Sequence, residues 1–589
     1  MLQTSTAKYE GEIELPGLQN SVTVYFDNYG VPHIYASNQH DVYYTLGYVH
    51  AQERLFQMEL LRRIGGGRLS EIFGPNLIET DKFLRTIGLN EIAEQSAQAY
   101  LADSTELFQK ASFAYLGGVN EFVRTGPTPP EFRLLGISKQ EFTPVDIYRA
   151  IAYMGFSFNT GVRTDPLLSL IMSQWGPEYL SDLVINSTKR NTVIPTFVKD
   201  SSSINTLTSD AIRALHSLPY PTWNASNSWV VGPGKSKSGM PILANDAHIG
   251  FSQPSVWYEA HLSCPDFDFY GNHLAGVPFG LIGHSDYHAW GLTIFPNDDM
   301  DFYRETSDPQ NPDRVRYKDR WETLKTRNEV IAVKGEEDHQ FQVRISRHGP
   351  IINQVNETIE SLESEPVSFY WTFNKFPCKA LQTGYGMAHS KNLEEFEQAL
   401  SLLEAPGLNL TYADIDGNIA WWAVARLLDR PDHVEPKLIL DGASGLDDPV
   451  GWVPFSENPR SINPPEGFVY SANNQPDSSF GIFHSGYYFP GARGQRIIQL
   501  LSEKNDWDVA SFKEMMMDNK SPVFPKISQK IIELLPDSLI TKEAHAASKL
   551  KNWNGEHQLN DLAPTIYYPL IQTILKNTFL DELGGEHFR

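Results

Sequence analysis

Hydrophobic and polar residues alternate along positions 11–36: Ile13, Leu15, then Val22-Thr23-Val24-Tyr25-Phe26, the turn Asp27-Asn28-Tyr29-Gly30, and Val31-Pro32-His33-Ile34-Tyr35-Ala36. A period of two broken by a polar, glycine-closed turn predicts paired strands. The period then lengthens. Between His40 and Gly74, Leu46, Val49, Leu55, Met58 and Leu61 fall near one face of a helix, and the glycines at 65–67 stop it. Residues 85–185 continue in helical periods, divided at Pro127, Pro129-Pro130 and Pro144. Residues 186–225 are rich in Ser, Thr and Asn and carry little periodicity, as a linker does. From 226 to about 500 short alternating runs such as FDFYGNHLAGV, HQFQVRISRHG and GNIAWWAV predict a strand-dominated region, and helical periods return from Ser511.

With 589 residues the chain is too long for one core, so two or more domains are expected. Acidic residues outnumber basic ones 72 to 48, and the net charge of −24 disfavours nucleic-acid binding. No run of about 18 apolar residues indicates a membrane span. The opening MLQTSTAKYEGEIEL lacks the basic-then-apolar pattern of a signal peptide. Cys264 and Cys378 match no metal or redox spacing and read as two inert thiols.

The stretch Asn224–Ile249, NASNSWVVGPGKSKSGMPILANDAHI, carries the most chemistry. It reads as a hairpin: a polar, loop-like approach, a strand at Trp229-Val230-Val231, a Gly/Pro/Lys/Ser turn, and a return strand at Pro241–Ala244. Ser226 then sits at the mouth of a sheet, and His248 lies just past the neighbouring strand. A nucleophilic hydroxyl and an ordinary edge hairpin are both compatible with this pattern. GPGKS at 232–236 is not a phosphate loop, because the required first glycine is Trp229. His284 and His288 have metal-compatible spacing if helical, but flanking glycines favour a turn. Asp298, Asp299 and Asp301 around Met300 suit either a hard cation or a solvated acidic turn.

Several separated stretches, read together, resemble the penicillin acylase (penicillin amidase) family of N-terminal nucleophile hydrolases. They are YGVPHIYA at 29–36, GYVHAQERLFQMELLRRIGGGRLSEIFG at 47–74, SNSWVVGPGKSKSGMPILANDAHIG at 226–250, AGVPFGLIGHSDYHAWGLT at 275–293 and YSANNQP at 470–476. The resemblance implies an α+β fold: a four-layer αββα core with a mainly helical N-terminal half. It implies a precursor that cuts itself between Ala225 and Ser226. Residues 1–185 become an alpha-chain-like helical domain, 186–225 a removed spacer, and 226–589 a beta-chain-like catalytic domain that is C-terminally incomplete beside the family. The mature form is an alpha/beta heterodimer acting on a small-molecule N-acyl substrate. Family members are usually exported, which the start of this chain does not echo.

By the same resemblance Ser226 is the nucleophile and its freed amine the base. Asn473 and the backbone N–H of Ile294 form the oxyanion hole, with Asn474 as the close neighbour of Asn473. His248 helps orient the serine, at a position where penicillin G acylases have glutamine. An orienting arginine falls on Arg496, with Arg493 as the nearby alternative. Ile249, Ile282, Leu292 and Phe156 or Phe158 line an apolar acyl pocket. No cofactor is implied for catalysis. Asp298 and Asp301, with the carbonyls of Met300 and Pro436, match a structural calcium site, although one further aspartate is replaced near Ser485 and the helical half offers no matching glutamate. The expected activity is hydrolysis of the N-acyl amide of a β-lactam-like small molecule. Alternatives are an acyl-homoserine-lactone acylase, a catalytically inactive binding relative, and a metal hydrolase built on His284 and His288.

Overall fold

The computed structural model describes residues 7–182, 223–478 and 484–587. The predicted spacer lies outside them except for its last three residues, which open a strand. Strands β1 (Thr23–Phe26) and β2 (Pro32–Tyr35) form the expected N-terminal pair. They do not stay within the helical half, however. Backbone pairing of His33 with His261 lays β2 parallel to β5 (Trp257–Cys264), at the edge of a nine-stranded sheet. That sheet continues through β6 (Phe267–Leu274), β7 (Ile282–Ser285) and β8 (His288–Ile294) to strands Leu408–Asp414, Ile419–Val424 and Arg460–Ile462.

Helix α1 (Gln39–Gly65) is held at its start by Asn38, whose side chain accepts from the Asp41 N–H at 2.8 Å. The five apolar residues read as its core stripe are all buried. So are most of its other faces, because it lies between the large sheet and helix Leu107–Thr125. The two helices touch backbone to backbone. A Cβ on Gly47 would come within 2.0 Å of the Tyr115 carbonyl oxygen, and one on Gly118 within 1.8 Å of that of Tyr44.

A second sheet of three strands, in the order Phe468–Ser471, β3 (Trp223–Val231), β4 (Ile242–Ile249), stacks on the first. Trp229 and Tyr470 turn to its outer face, which helices Ala492–Glu503 and Val509–Met516 cover with Ile497, Leu501, Phe512 and Met515. The layers therefore run helices, large sheet, small sheet, helices: the four-layer αββα arrangement. One hydrophobic core joins α1 and its helical neighbours to β5, β6 and β8, so the segments before and after the spacer share an interior. The C-terminal helices from Phe524 gather around a separate cluster of Ile532, Leu550, Trp553 and Tyr567. Among the described residues, no helix is long and apolar enough to cross a membrane.

His284 and His288 belong to the β7–β8 hairpin and not to a helix. His284 stacks on Tyr270, while His288 is buried with Nε2 against the Met387 carbonyl oxygen at 3.0 Å, so the two form no metal pair.

Two predictions follow from this packing. Gly118→Ala should cost about 3 kcal/mol or more in denaturant-unfolding experiments, since neither backbone can retreat; a neutral result contradicts the close approach. Burial pushes the His273 imidazole down to about 4, and the neighbouring His50 is lowered for the same reason. A neutral buried imidazole contributes stability that is fully present above its unfolded value of about 6.5 and is lost as the pH falls toward about 4. Relative to His273→Gln, the native protein should therefore lose stability across that window, whereas a pH-independent difference contradicts the assignment.

Candidate active site

Ser226 lies inside β3 and not at the end of a loop. Its backbone pairs with Ala247, and Ala225 pairs with His248, so β4 extends past the expected return strand and takes His248 with it. Asn224–Ser228 reads as loop in the sequence, but the segment is strand, and Ser228 finds its polar partner across the sheet stack. Ser228 Oγ bonds Thr411 Oγ1 at 2.6 Å and donates to the Ala244 carbonyl at 3.0 Å. One residue before the Ala225–Ser226 peptide the register slips: Trp223 faces Ile249 while Ala225 faces His248. This leaves Asn224 as the extra residue of a bulge, which bends the strand just before Ser226.

Ser226 itself is fully buried. Its Oγ donates to the Ala225 carbonyl oxygen at 2.5 Å, and its N–H donates to Asn473 Oδ1 at 2.7 Å. Asn473 is also fully buried and holds a left-handed backbone (φ 60°), a conformation Asn tolerates better than most residues. Its Nδ2 donates to the Ile294 carbonyl at 2.8 Å.

The geometry of Ile294 follows from where β7 stops. β7 pairs with β8 only as far as Trp290, so beyond it β8 has an open flank. On the other side Phe295 donates to Gly407 at 3.2 Å, and antiparallel alternation then turns the backbone groups of Leu292 and Ile294 toward that flank. Three asparagine amides reach these groups, one of them Asn409, which donates to the Ile294 carbonyl at 2.9 Å. Asn245 donates to the Leu292 carbonyl at 2.9 Å and accepts from its N–H at 3.0 Å, and Asn473 takes the Ile294 carbonyl. The Ile294 N–H faces the same side, next to the Asn473 amide.

Arg493, in the first turn of helix Ala492–Glu503, completes the cluster. Nη1 donates to the Ser226 carbonyl and to Asn227 Oδ1, both at 2.6 Å, and Nη2 donates to Asn473 Oδ1 at 3.0 Å. Burial lowers the guanidinium to about 10, against the opposing pull of Asp246. Arg496 is corrected by this geometry: one helical turn further on, it pairs with Asp518 at 2.6 Å and with Gln499, away from Ser226. His248 Nε2 lies 2.8 Å from Asp246 Oδ2 and 3.2 Å from Asn227 Nδ2, so it reaches the serine's neighbourhood through Asn227. The His248 contact is the largest influence holding the Asp246 carboxyl below its ordinary value. Asn474 turns instead to the Tyr470 hydroxyl at 3.2 Å.

Of the expected pocket residues, Leu292 adjoins the cluster through Asn245, Ile249 ends β4 opposite Trp223, and Ile282 opens β7. Phe156 packs edge-on against Phe83 and Trp371 within the large core, and Phe158 is buried in the same core. The expected calcium ligands do not fit a cation site. Both oxygens of Asp301 accept from Arg430 Nε at 3.1 Å, and Asp298 Oδ2 accepts from Ser485 Oγ at 2.9 Å. Met300 opens the strand β9 (Met300–Arg304), paired with Trp371, and Pro436 adjoins Lys437, a cation. Among the described residues, no group of three or more His, Cys, Asp or Glu is arranged to hold a metal ion.

The Penicillin amidase family model matches residues 21–589. The chain belongs to the penicillin amidase family. It is 29% identical to the penicillin acylase 2 proenzyme of Pseudomonas sp. (strain SE83) over 96% of this chain and 73% of that protein. It is 26% identical to the acyl-homoserine lactone acylase QuiP of Pseudomonas aeruginosa, over 97% of this chain and 70% of that one. Among solved structures, a thermostable penicillin G acylase from Alcaligenes faecalis shares the fold with a TM-score of 0.54, at 23% identity, covering 62% of this chain and 66% of that one. In this member of the family Ser226 is placed by strand register and held by the Asn473 amide and the Arg493 guanidinium.

Asn245, Asp246 and Asn227 were not read from the sequence as site residues. The available pattern was a strand, Ile242–Ile249, whose successive polar residues Asn245 and Asp246 point to opposite faces. Asn245→Ala strips partners from the Leu292 N–H and carbonyl and from the Asn227 carbonyl. It should cost about 3 kcal/mol in chemical denaturation, whereas Arg496→Ala should cost under about 1 kcal/mol. Equal losses contradict the assignment.

Proposed function

We propose that the chain is a self-processing amidohydrolase whose nucleophile is Ser226. In the first reaction Oγ attacks the Ala225 carbonyl carbon, the C–N bond breaks, and the hydroxyl proton passes to the departing nitrogen. An ester now joins Ala225 to Ser226 Oγ. Water hydrolyses it, leaving a carboxylate on Ala225 and both a free amine and a free hydroxyl on Ser226. The observation that carries this reading is the pair of bonds at Ser226: Oγ against the carbonyl of the peptide to be cut, and N–H against Asn473. The second bond supports a further role, because it would hold the liberated amine in place.

The second reaction is the turnover of an external amide. A free α-amine has a pKa of about 7.7–8, so near neutral pH much of it is neutral and able to take the Oγ proton through a water. Oγ attacks the substrate carbonyl, the amine product leaves, and water releases the acid from the acyl-enzyme. Negative charge on the tetrahedral oxygen would be met by the second Nδ2 hydrogen of Asn473 and by the Ile294 N–H. Arg493 fixes the Ser226 carbonyl and Asn473, while Asp246 and Asn227 hold His248. Until the chain is cut, the nitrogen of Ser226 is an amide and the residue is buried, so the precursor would be inactive. The core shared across the spacer supports a heterodimer of residues 1–185 and 226–589 that stays together after cutting.

The substrate class is an N-acyl amide of a small molecule. The relatives named above are a penicillin acylase and an acyl-homoserine lactone acylase, and β-lactam hydrolysis is the first activity to assay. Histidine at 248, with its Asp246 partner, is the feature that keeps the lactone amide as the second reading.

Ser226→Ala should fold, remain a single uncut chain by intact mass, and release no amine from either substrate; maturation of that variant contradicts the mechanism. In the active enzyme, kcat/KM should rise as the pH rises through about 8, because the protonated amine cannot accept the hydroxyl proton. A flat profile across that window excludes the amine as base.

A further inference from the structure

Three aspartates, Asp165, Asp298 and Asp301, are buried, and Asp299 is half-buried, where helix Gly161–Asp182 meets the turn between β8 and β9. Buried carboxylates need partners, and a divalent ion with six to eight oxygen ligands is one way to supply them. Here the protein supplies them itself. Arg430 enters between Asp298 and Asp301: Nε is 3.1 Å from each oxygen of Asp301, and Nη2 donates to the Asp298 carbonyl at 3.1 Å and reaches its Oδ1 at 3.4 Å. Remaining oxygens take neutral donors. Ser485 serves Asp298, Asn159 and Trp371 serve Asp299 at 3.0 and 3.1 Å, and the Tyr487 hydroxyl serves both oxygens of Asp165 at 2.6 and 2.7 Å. Lys437 adds a second cation, lying 5.4 Å over the Tyr487 ring.

We propose that Arg430, with Lys437 beside it, is a built-in replacement for a structural divalent cation. The guanidinium does what an ion would do there: it neutralises Asp298 and Asp301 and ties the turn following Ile294 to the segment around residue 430. Its planar fork suits this place, since it engages the paired oxygens of one aspartate and the main chain of the other. Calcium and Arg430 compete for the same oxygens, so the native protein needs no metal for stability. The inference is independent of the reaction at Ser226.

The test uses wild-type protein purified without added metal. Elemental analysis should find no stoichiometric calcium or other divalent ion, and the Tm should be the same in excess EDTA and in millimolar calcium. Arg430→Met should lower the Tm by on the order of 10 °C, the consequence of leaving two buried carboxylates without their cation. One bound divalent ion per chain, a Tm that falls in EDTA and recovers with calcium, or an Arg430→Met variant as stable as wild type would each overturn the proposal. If that variant does not fold, metal content and the EDTA response of the wild type decide alone.

Discussion

The structure depends on one side-chain amide. Asn473 accepts the Ser226 N–H and an Arg493 N–H on its oxygen, and donates from its nitrogen to Ile294. These contacts join the small sheet, the open flank of β8 in the large sheet, and a covering helix at one buried point. Two stacked sheets offer only apolar contact unless polar groups between them are fully paired, and a partly paired network costs more than none. Here pairing extends outward without a break: Thr293 to Ser471 at 2.7 Å, Asn409 to Thr293 at 3.1 Å, and the Trp421 indole to Asn409 at 3.1 Å. The sheets are thereby fixed in register as well as in contact, and Ser226 inherits that register.

This explains why part of the molecule was legible in the sequence and part was not. The alternation at 22–35 and the helical stripe from Leu46 to Leu61 are local patterns with one apolar face each, and they fold as read. β3 was misread at its start because Asn224–Ser228 looks like a solvated approach. A strand whose polar groups are met by another sheet cannot be told from a loop by polarity alone. Arg493 and Arg496 are separated by one helical turn and are chemically identical, so only the position of that helix against Asn473 distinguishes them. Asn245 gave no signal of its own, since its task is set by where a different strand, β7, stops.

The division of the chain has the same character. Composition marks the break near the spacer, yet packing does not respect it: β1 and β2 extend the large sheet, and α1 shares its core. The proposed cut would fall outside this shared core, which would continue to hold the two segments together. The aspartates at 298 and 301 add a contrast. Their spacing is that of a cation site, and their chemistry is answered by a side chain more than a hundred residues away.

The central claim is that Ser226 contributes both its oxygen and its own released nitrogen to one reaction. N-terminal sequencing of purified, amide-hydrolysing protein tests it most directly. The account predicts two chains in equal amount, the second beginning Ser-Asn-Ser-Trp-Val-Val. Full activity in a protein whose second chain starts at any other residue, or which has no second chain, would contradict it.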